Sequence, residues 1–178
     1  MGTEIPPIFH SFDSKAPFNS CIECNRPLDE DCQYVIEKAL RKYEGYTAED
    51  VIFDYAICLD CAMEIRNSFS KESKSKIDEY FLENANRIKS INDGKIGLDT
   101  CLLSGKRVDE LKEYQIYAHC IGQRLDTQIQ PYLISAEAQD EIMNLISNET
   151  LDILNGFFDK HFSPDPALIK PVPRPVLI

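Results

Sequence analysis

Histidine is scarce in this chain: three in 178 residues, His10, His119 and His161. None belongs to a His-Glu-x-x-His pair, and no Gly-x-Ser-x-Gly elbow or glycine-rich phosphate loop occurs. General acid–base catalysis therefore has no evident residues to carry it. Basic side chains are outnumbered too, 19 Lys and Arg against 30 Asp and Glu, for a net charge of −11. Residues 1–97 carry 12 basic and 18 acidic side chains and residues 98–178 carry 7 and 12, so neither half is basic. Neutralising phosphates needs clustered Lys and Arg, so nucleic acid is a poor candidate partner. No apolar run reaches the ~18 residues of a membrane span. The start, Met1 to Pro7, lacks the basic residues and apolar stretch of a secretory signal, and Pro6 stands where a myristoylation signal wants Ser or Thr. With seven cysteines, an odd number, and no such signal, the expectation is a cytoplasmic protein that uses thiolates as ligands more than as disulfides.

What the chain does have is two matching cysteine pairs, Cys21-x2-Cys24 and Cys58-x2-Cys61. In each pair, two sulfurs leave one tight turn on the same side and reach a common ion at about 2.3 Å. Two pairs complete a tetrahedron, the pattern of a structural zinc site with one ion per chain. Rubredoxin-like iron is the inorganic alternative, but the second pair looks set to enter a helix. Thioredoxin-like redox chemistry uses a single such motif ahead of a helix. Cys32 reads as a buried or half-buried thiol outside the ligand set. His119 reads as a core or surface residue, and His10 and His161 as surface residues.

The segment Cys21 to Glu30 can be laid over Cys101 to Glu110, matching Arg26 with Lys106, Leu28 with Val108 and both Asp-Glu endings. Tyr55-Ala-Ile-Cys58 can be laid over Tyr117-Ala-His-Cys120, and Ser70-x-Glu72 with Ile77 over Ser135-x-Glu137 with Ile142. Three blocks in one order point to an internal repeat. On this alignment Ser104 and Gln123 replace two ligands, leaving Cys101 and Cys120 as a relic site. Two thiolates alone hold zinc poorly, so the second copy is expected to be metal-free.

The expected organisation is an irregular lead-in over 1–18, a zinc-binding unit over 19–97, a degenerate second unit over 98–163 and a proline-rich tail over 164–178. Prolines 6, 7 and 17 break regular structure in the lead-in, and five prolines make the tail extended, either a disordered end or a segment that docks in a groove. Residues 33–43 are ambiguous: Tyr34, Val35 and Ile36 favour a strand, whereas Glu37 to Lys42 favour a helix. A strand is preferred, because Val51 to Ile57 reads as its hairpin partner. Tyr114 to Ala118 is the equivalent strand. Helices are expected over Leu59–Asn67, over Lys71–Ile91 capped by Ser70 and ended by Asn92-Asp93-Gly94, after Ser135, and over Glu149–His161.

A knuckle, a hairpin and a second ligand pair entering a helix resemble the treble-clef or zinc-ribbon class of structural zinc domains, over roughly residues 19–68. That likeness rests on spacing and order. It departs where the usual knuckle glycine is Asn25, the next best residue for a left-handed turn. The resemblance implies a structural Zn2+ and no particular partner, and with the internal repeat the expected fold is α+β, two tandem treble-clef-like units. Three roles follow. The first is a protein–protein interaction or adaptor module. The second is a thiol-based redox sensor or metal-dependent enzyme, needing an open ligand position or a reactive thiol. The third is nucleic-acid binding through Arg66, Lys71, Lys74 and Lys76, although Glu72 sits at ion-pair spacing from Lys76.

Overall fold

The computed structural model describes residues 3–91 and 97–162, without the side chains of 89–91. The proline-rich tail and the expected helix end at Asn92-Asp93-Gly94 lie outside the described residues. The fold is α+β, an antiparallel sheet with four helices among the described residues. Its elements run β1 (Gln33–Lys42), β2 (Glu49–Cys58), α1 (Leu59–Asn67), α2 (Lys71–Ile91), β3 (Glu113–Ile121), β4 (Arg124–Leu125), β5 (Tyr132–Ser135), α3 (Ala136–Leu145) and α4 (Asn148–His161).

The ambiguous segment is a strand, and the reason is tertiary. β1 pairs with β2 on one side and with β3 on the other, so its residues from Tyr34 to Leu40 are all buried. Pairing on both edges makes β1 central, α4 and the lead-in cover its two faces, and that environment overrides the helix preference of Glu37 to Lys42. β5 and β4 both pair with β3, and β5 was not anticipated from the sequence.

Alternation along the strands sorts the core into two faces. On one, Phe53 and Tyr55 of β2 meet an aromatic cluster from α4 and its end. Phe53 contacts Phe158 edge-on at 5.9 Å and Phe162 at 5.2 Å, and Tyr55 contacts Phe157 at 5.5 Å between ring centroids. The same face buries Glu37, whose carboxylate accepts from Tyr55 Oη at 2.5 Å and Tyr117 Oη at 3.2 Å. On the other face, Lys38 is buried beside Asp54 at 3.5 Å and donates to the His10 carbonyl. The lead-in crosses there: Phe12 N–H donates to Asp54 at 2.7 Å, and Ile5 and Phe9 are buried.

The helix starts follow hydroxyl chemistry. Ser70 Oγ accepts from Ser73 N at 3.1 Å, Ser135 Oγ from Ala138 N at 3.3 Å and Ser147 Oγ from Thr150 N at 3.3 Å. Each satisfies a backbone donor left unpaired in a first turn. The caps of α2 and α4 also touch, Ser70 Oγ to Ser147 Oγ at 3.0 Å.

Candidate metal centre

Cys21 and Cys24 stand on a turn closed by three backbone hydrogen bonds. Asn25 N–H donates to the Cys21 carbonyl at 2.9 Å, Cys21 N–H to the Arg26 carbonyl at 2.9 Å, and Leu28 N–H to the Asn19 carbonyl at 3.0 Å. Asn25 has φ of 59°, the left-handed conformation the turn requires and asparagine tolerates. Ile22 N–H then donates to the Ala56 carbonyl at 2.9 Å, fastening the turn to the outer edge of β2. Cys58 ends β2 and caps α1 with extended backbone (φ −63°, ψ 150°), and Cys61 lies in the first turn of that helix. Unlike the serine caps, Cys58 makes no side-chain cap hydrogen bond. Its sulfur faces the other cysteines instead.

The four Sγ atoms of Cys21, Cys24, Cys58 and Cys61 lie within 4.8 Å of one another. Cys24 and Cys58 are 3.9 Å apart. A tetrahedral ion with sulfur at 2.3 Å sets its ligands about 3.8 Å apart, so the spacing suits a single ion. Three of the four are buried and Cys24 is exposed. Burial pushes the Cys58 and Cys61 thiols up, whereas the Arg26 backbone N–H holds Cys24 below its ordinary value. Thiolates in a buried place need compensating charge, which a divalent cation supplies. The Cys58 N–H also donates to Cys21 Sγ at 3.3 Å, and the start of α1 favours negative charge. The donor set therefore fits a metal ion and is consistent with zinc.

Three polar contacts brace the knuckle. Arg26 pairs with Asp60 of α1 at 2.7 Å. Glu23, between the first two cysteines, accepts from Lys160 at 2.6 Å and His161 at 2.5 Å at the end of α4. Burial works against the Glu23 carboxylate, but these two donors win and keep its pKa low. His161 is thus a mostly covered partner of the knuckle, in place of the surface residue expected. Glu23 and His161 are 138 residues apart in the chain, which no local pattern reveals.

The other three cysteines, His10 and His119 are outside the four-sulfur cluster. Cys32 is buried, its thiol pKa raised first by desolvation, and its thiol donates to the Gln33 carbonyl at 3.8 Å. His119 is half-buried beside the Tyr132 ring at 6.1 Å, and His10 Nε2 meets the Ile5 carbonyl at 3.1 Å. The structure does not bring the expected relic pair together. Cys120 lies opposite Tyr34 near one end of β3, while Cys101 packs on Ser135, opposite Tyr114 near the other end. Six strand residues separate those rows, about 20 Å. Among the basic residues expected to form a nucleic-acid face, Arg66 pairs with Asp78, Lys76 pairs with Glu72 at 2.6 Å, and Lys74 donates to the Asn67 carbonyl.

The surroundings of Cys101 reproduce those of Cys21. Gly105 N–H donates to the Cys101 carbonyl at 3.0 Å, Cys101 N–H to the Lys106 carbonyl at 2.8 Å, and Val108 N–H to the Asp99 carbonyl at 2.9 Å. Leu102 N–H reaches the Leu133 carbonyl at 2.8 Å, as Ile22 reaches Ala56. The element after the hairpin position is thus β5 with Ser135, where Tyr117 to Cys120 was expected. Tyr132-Leu-Ile-Ser135 takes the place of Tyr55-Ala-Ile-Cys58, and Ser147 takes that of Ser70. The shared Tyr-x-Ile before a helix cap was the signal available in the sequence.

Cavities of about 660 Å³, beside Gln123 and Arg124, and about 310 Å³, beside Glu113 and Glu137, are lined by none of the four cysteines. No described helix is long and apolar enough to cross a membrane. Compared with known proteins, the chain matches no family model, no curated protein and no solved structure.

Proposed function

We propose that this chain is a protein–protein interaction or adaptor module whose single zinc is structural. The observation that carries the reading is the closed four-sulfur set, with three members buried and all four sulfurs available to one ion. A closed set leaves no ligand position for substrate, and binding it contributes directly to folding. The titratable side chains beside it are engaged in ion pairs, Glu23 with Lys160 and His161, and Asp60 with Arg26. In this reading the chain carries two treble-clef-like units, one holding zinc and one held by its core and hydrogen bonds. The matched turns around Cys21 and Cys101 support that kinship.

The test is a comparison of partners. Proteins retained by the tagged native chain are quantified against those retained by Cys58→Ser. Specific partners that are lost with the zinc are expected. A native chain that retains none, or the same set in the variant, overturns the adaptor role. One observation favours a second reading, a redox sensor: Cys24 is exposed. Zinc release by stoichiometric peroxide, reversed by a thiol reductant, would favour the sensor. Zinc retention under that treatment is expected of the structural site.

A further inference from the structure

We propose that the pocket around Cys101 keeps the backbone frame of a four-sulfur metal site, and that the side chains of Ser104, Ser135 and Ala138 separate it from binding a second zinc. The inference rests on the reading of Cys21, Cys24, Cys58 and Cys61 as a zinc site, and goes beyond it by assigning a latent site.

Five independent matches support it. The two knuckles share their backbone hydrogen bonds, as described. Their left-handed positions correspond, Asn25 at φ 59° and Gly105 at φ 74°. The strand registers correspond too: Tyr34 faces Cys58 between β1 and β2, and Tyr114 faces Ser135 between β3 and β5. At the helix starts, Cys58 N–H donates to Cys21 Sγ at 3.3 Å, and Ser135 N–H donates to Cys101 Sγ at 3.3 Å. Finally, the ion pair across the first site, Arg26 with Asp60, has a counterpart in Lys106 with Glu137. These matches place Ser104 in the role of Cys24, Ser135 in that of Cys58 and Ala138 in that of Cys61.

The native pocket replaces metal ligation with hydrogen bonds. Cys101 Sγ is 3.5 Å from Ser135 Oγ and accepts from Ser104 N–H at 3.4 Å. Ser135 turns its hydroxyl to the Ala138 N–H, an ordinary cap that a metal-bound cysteine leaves unmade. Desolvation of the buried Cys101 thiol is outweighed by these donors, which hold it below its ordinary value. One thiol, two hydroxyls and a methyl are a poor donor set for zinc. The frame is present and the ligands are not.

The test is the triple variant S104C/S135C/A138C beside the native chain, both expressed with zinc. Metal per chain is read by mass spectrometry, and tetrahedral thiolate absorption is read after exchange with cobalt. The proposal expects metal in the variant to rise by about one ion per chain over the native protein, with a matching gain in cobalt absorption. A folded variant with no increment overturns it. If the triple variant does not fold, the pair S135C/A138C is measured the same way, because with Cys101 it supplies three sulfurs. Added cobalt absorption supports the proposal and its absence overturns it. Failure of both to fold counts against it as well, since a frame set for a metal accommodates sulfur at these positions. A native chain without metal would sink the first-site reading alone, because an increment in the variant would still be measurable.

Discussion

The pockets at Cys21 and Cys101 are built on the same hydrogen-bonded turn and stabilised by different chemistry. In the first, four sulfurs converge and three are buried, so the turn, β2 and α1 meet at a point suited to a cation. In the second, one sulfur remains, and two backbone N–H groups with a serine cap close the same space. The comparison teaches that the same turn can be closed around one sulfur by backbone N–H groups and a serine cap, where the first gathers four sulfurs. Around the second, Leu103 and Leu133 are buried, and the end of the Ile88 side chain of α2 lies against Gly105. The first has the exposed Cys24 at its rim and polar braces to α1 and α4.

The sharpest way to break the comparison is to remove the equivalent cysteine from each pocket. Cys21→Ala should abolish metal binding and unfold the first unit, because structural zinc contributes about 10–16 kcal/mol at neutral pH, against a total stability of about 5–15 kcal/mol. Loss of zinc together with loss of cooperative thermal unfolding checks this. Cys101→Ala should leave the metal content unchanged and cost about 1–3 kcal/mol, the penalty of leaving buried N–H donors without an acceptor. Urea titration reads that difference. Ser135→Ala removes the cap of α3 and should cost about 0.5–2 kcal/mol with zinc intact.

A pH measurement adds a readout independent of the cysteines, because His119 is none of the four candidate ligands. Burial holds its imidazole below the usual histidine range, with Asp126 pulling weakly the other way. The unfolded chain takes up the proton near the ordinary value, about 6.5, and the folded chain only below that. This contribution is therefore present in full above about pH 6.5 and falls away as the pH drops. His119→Gln should flatten the acid slope of the urea midpoint relative to the native protein, a difference in which the metal-linked slope cancels. The smallest effect is expected from Arg26→Ala. Its ion pair with Asp60 is exposed, and surface pairs contribute little, so the thermal midpoint should move within the scatter of replicates.

Much of this was legible in the sequence where the signal was local. The ligand spacing named the four cysteines that converge. Ser70 and Ser135 marked helix starts, and Tyr34-Val-Ile tipped an ambiguous segment towards a strand. What was missed depended on partners distant in the chain. β5 went unseen because Cys120 served as the anchor for the second copy, whereas the structure puts a serine, Ser135, in the place of Cys58. Burial of Glu37 was hidden in a run of helix formers, since only pairing on both sides of β1 carries its carboxylate to Tyr55 and Tyr117. The clamp of Lys160 and His161 on Glu23 needs the whole fold to form.

The central claim is that metal is held by the first pocket alone, and the direct measurement is metal stoichiometry in the native chain, Cys21→Ala and Cys101→Ala, purified without chelator. The account predicts about one zinc per chain in the native protein and in Cys101→Ala, and none in Cys21→Ala. Absence of metal from the native chain, or its loss on changing Cys101, would contradict it.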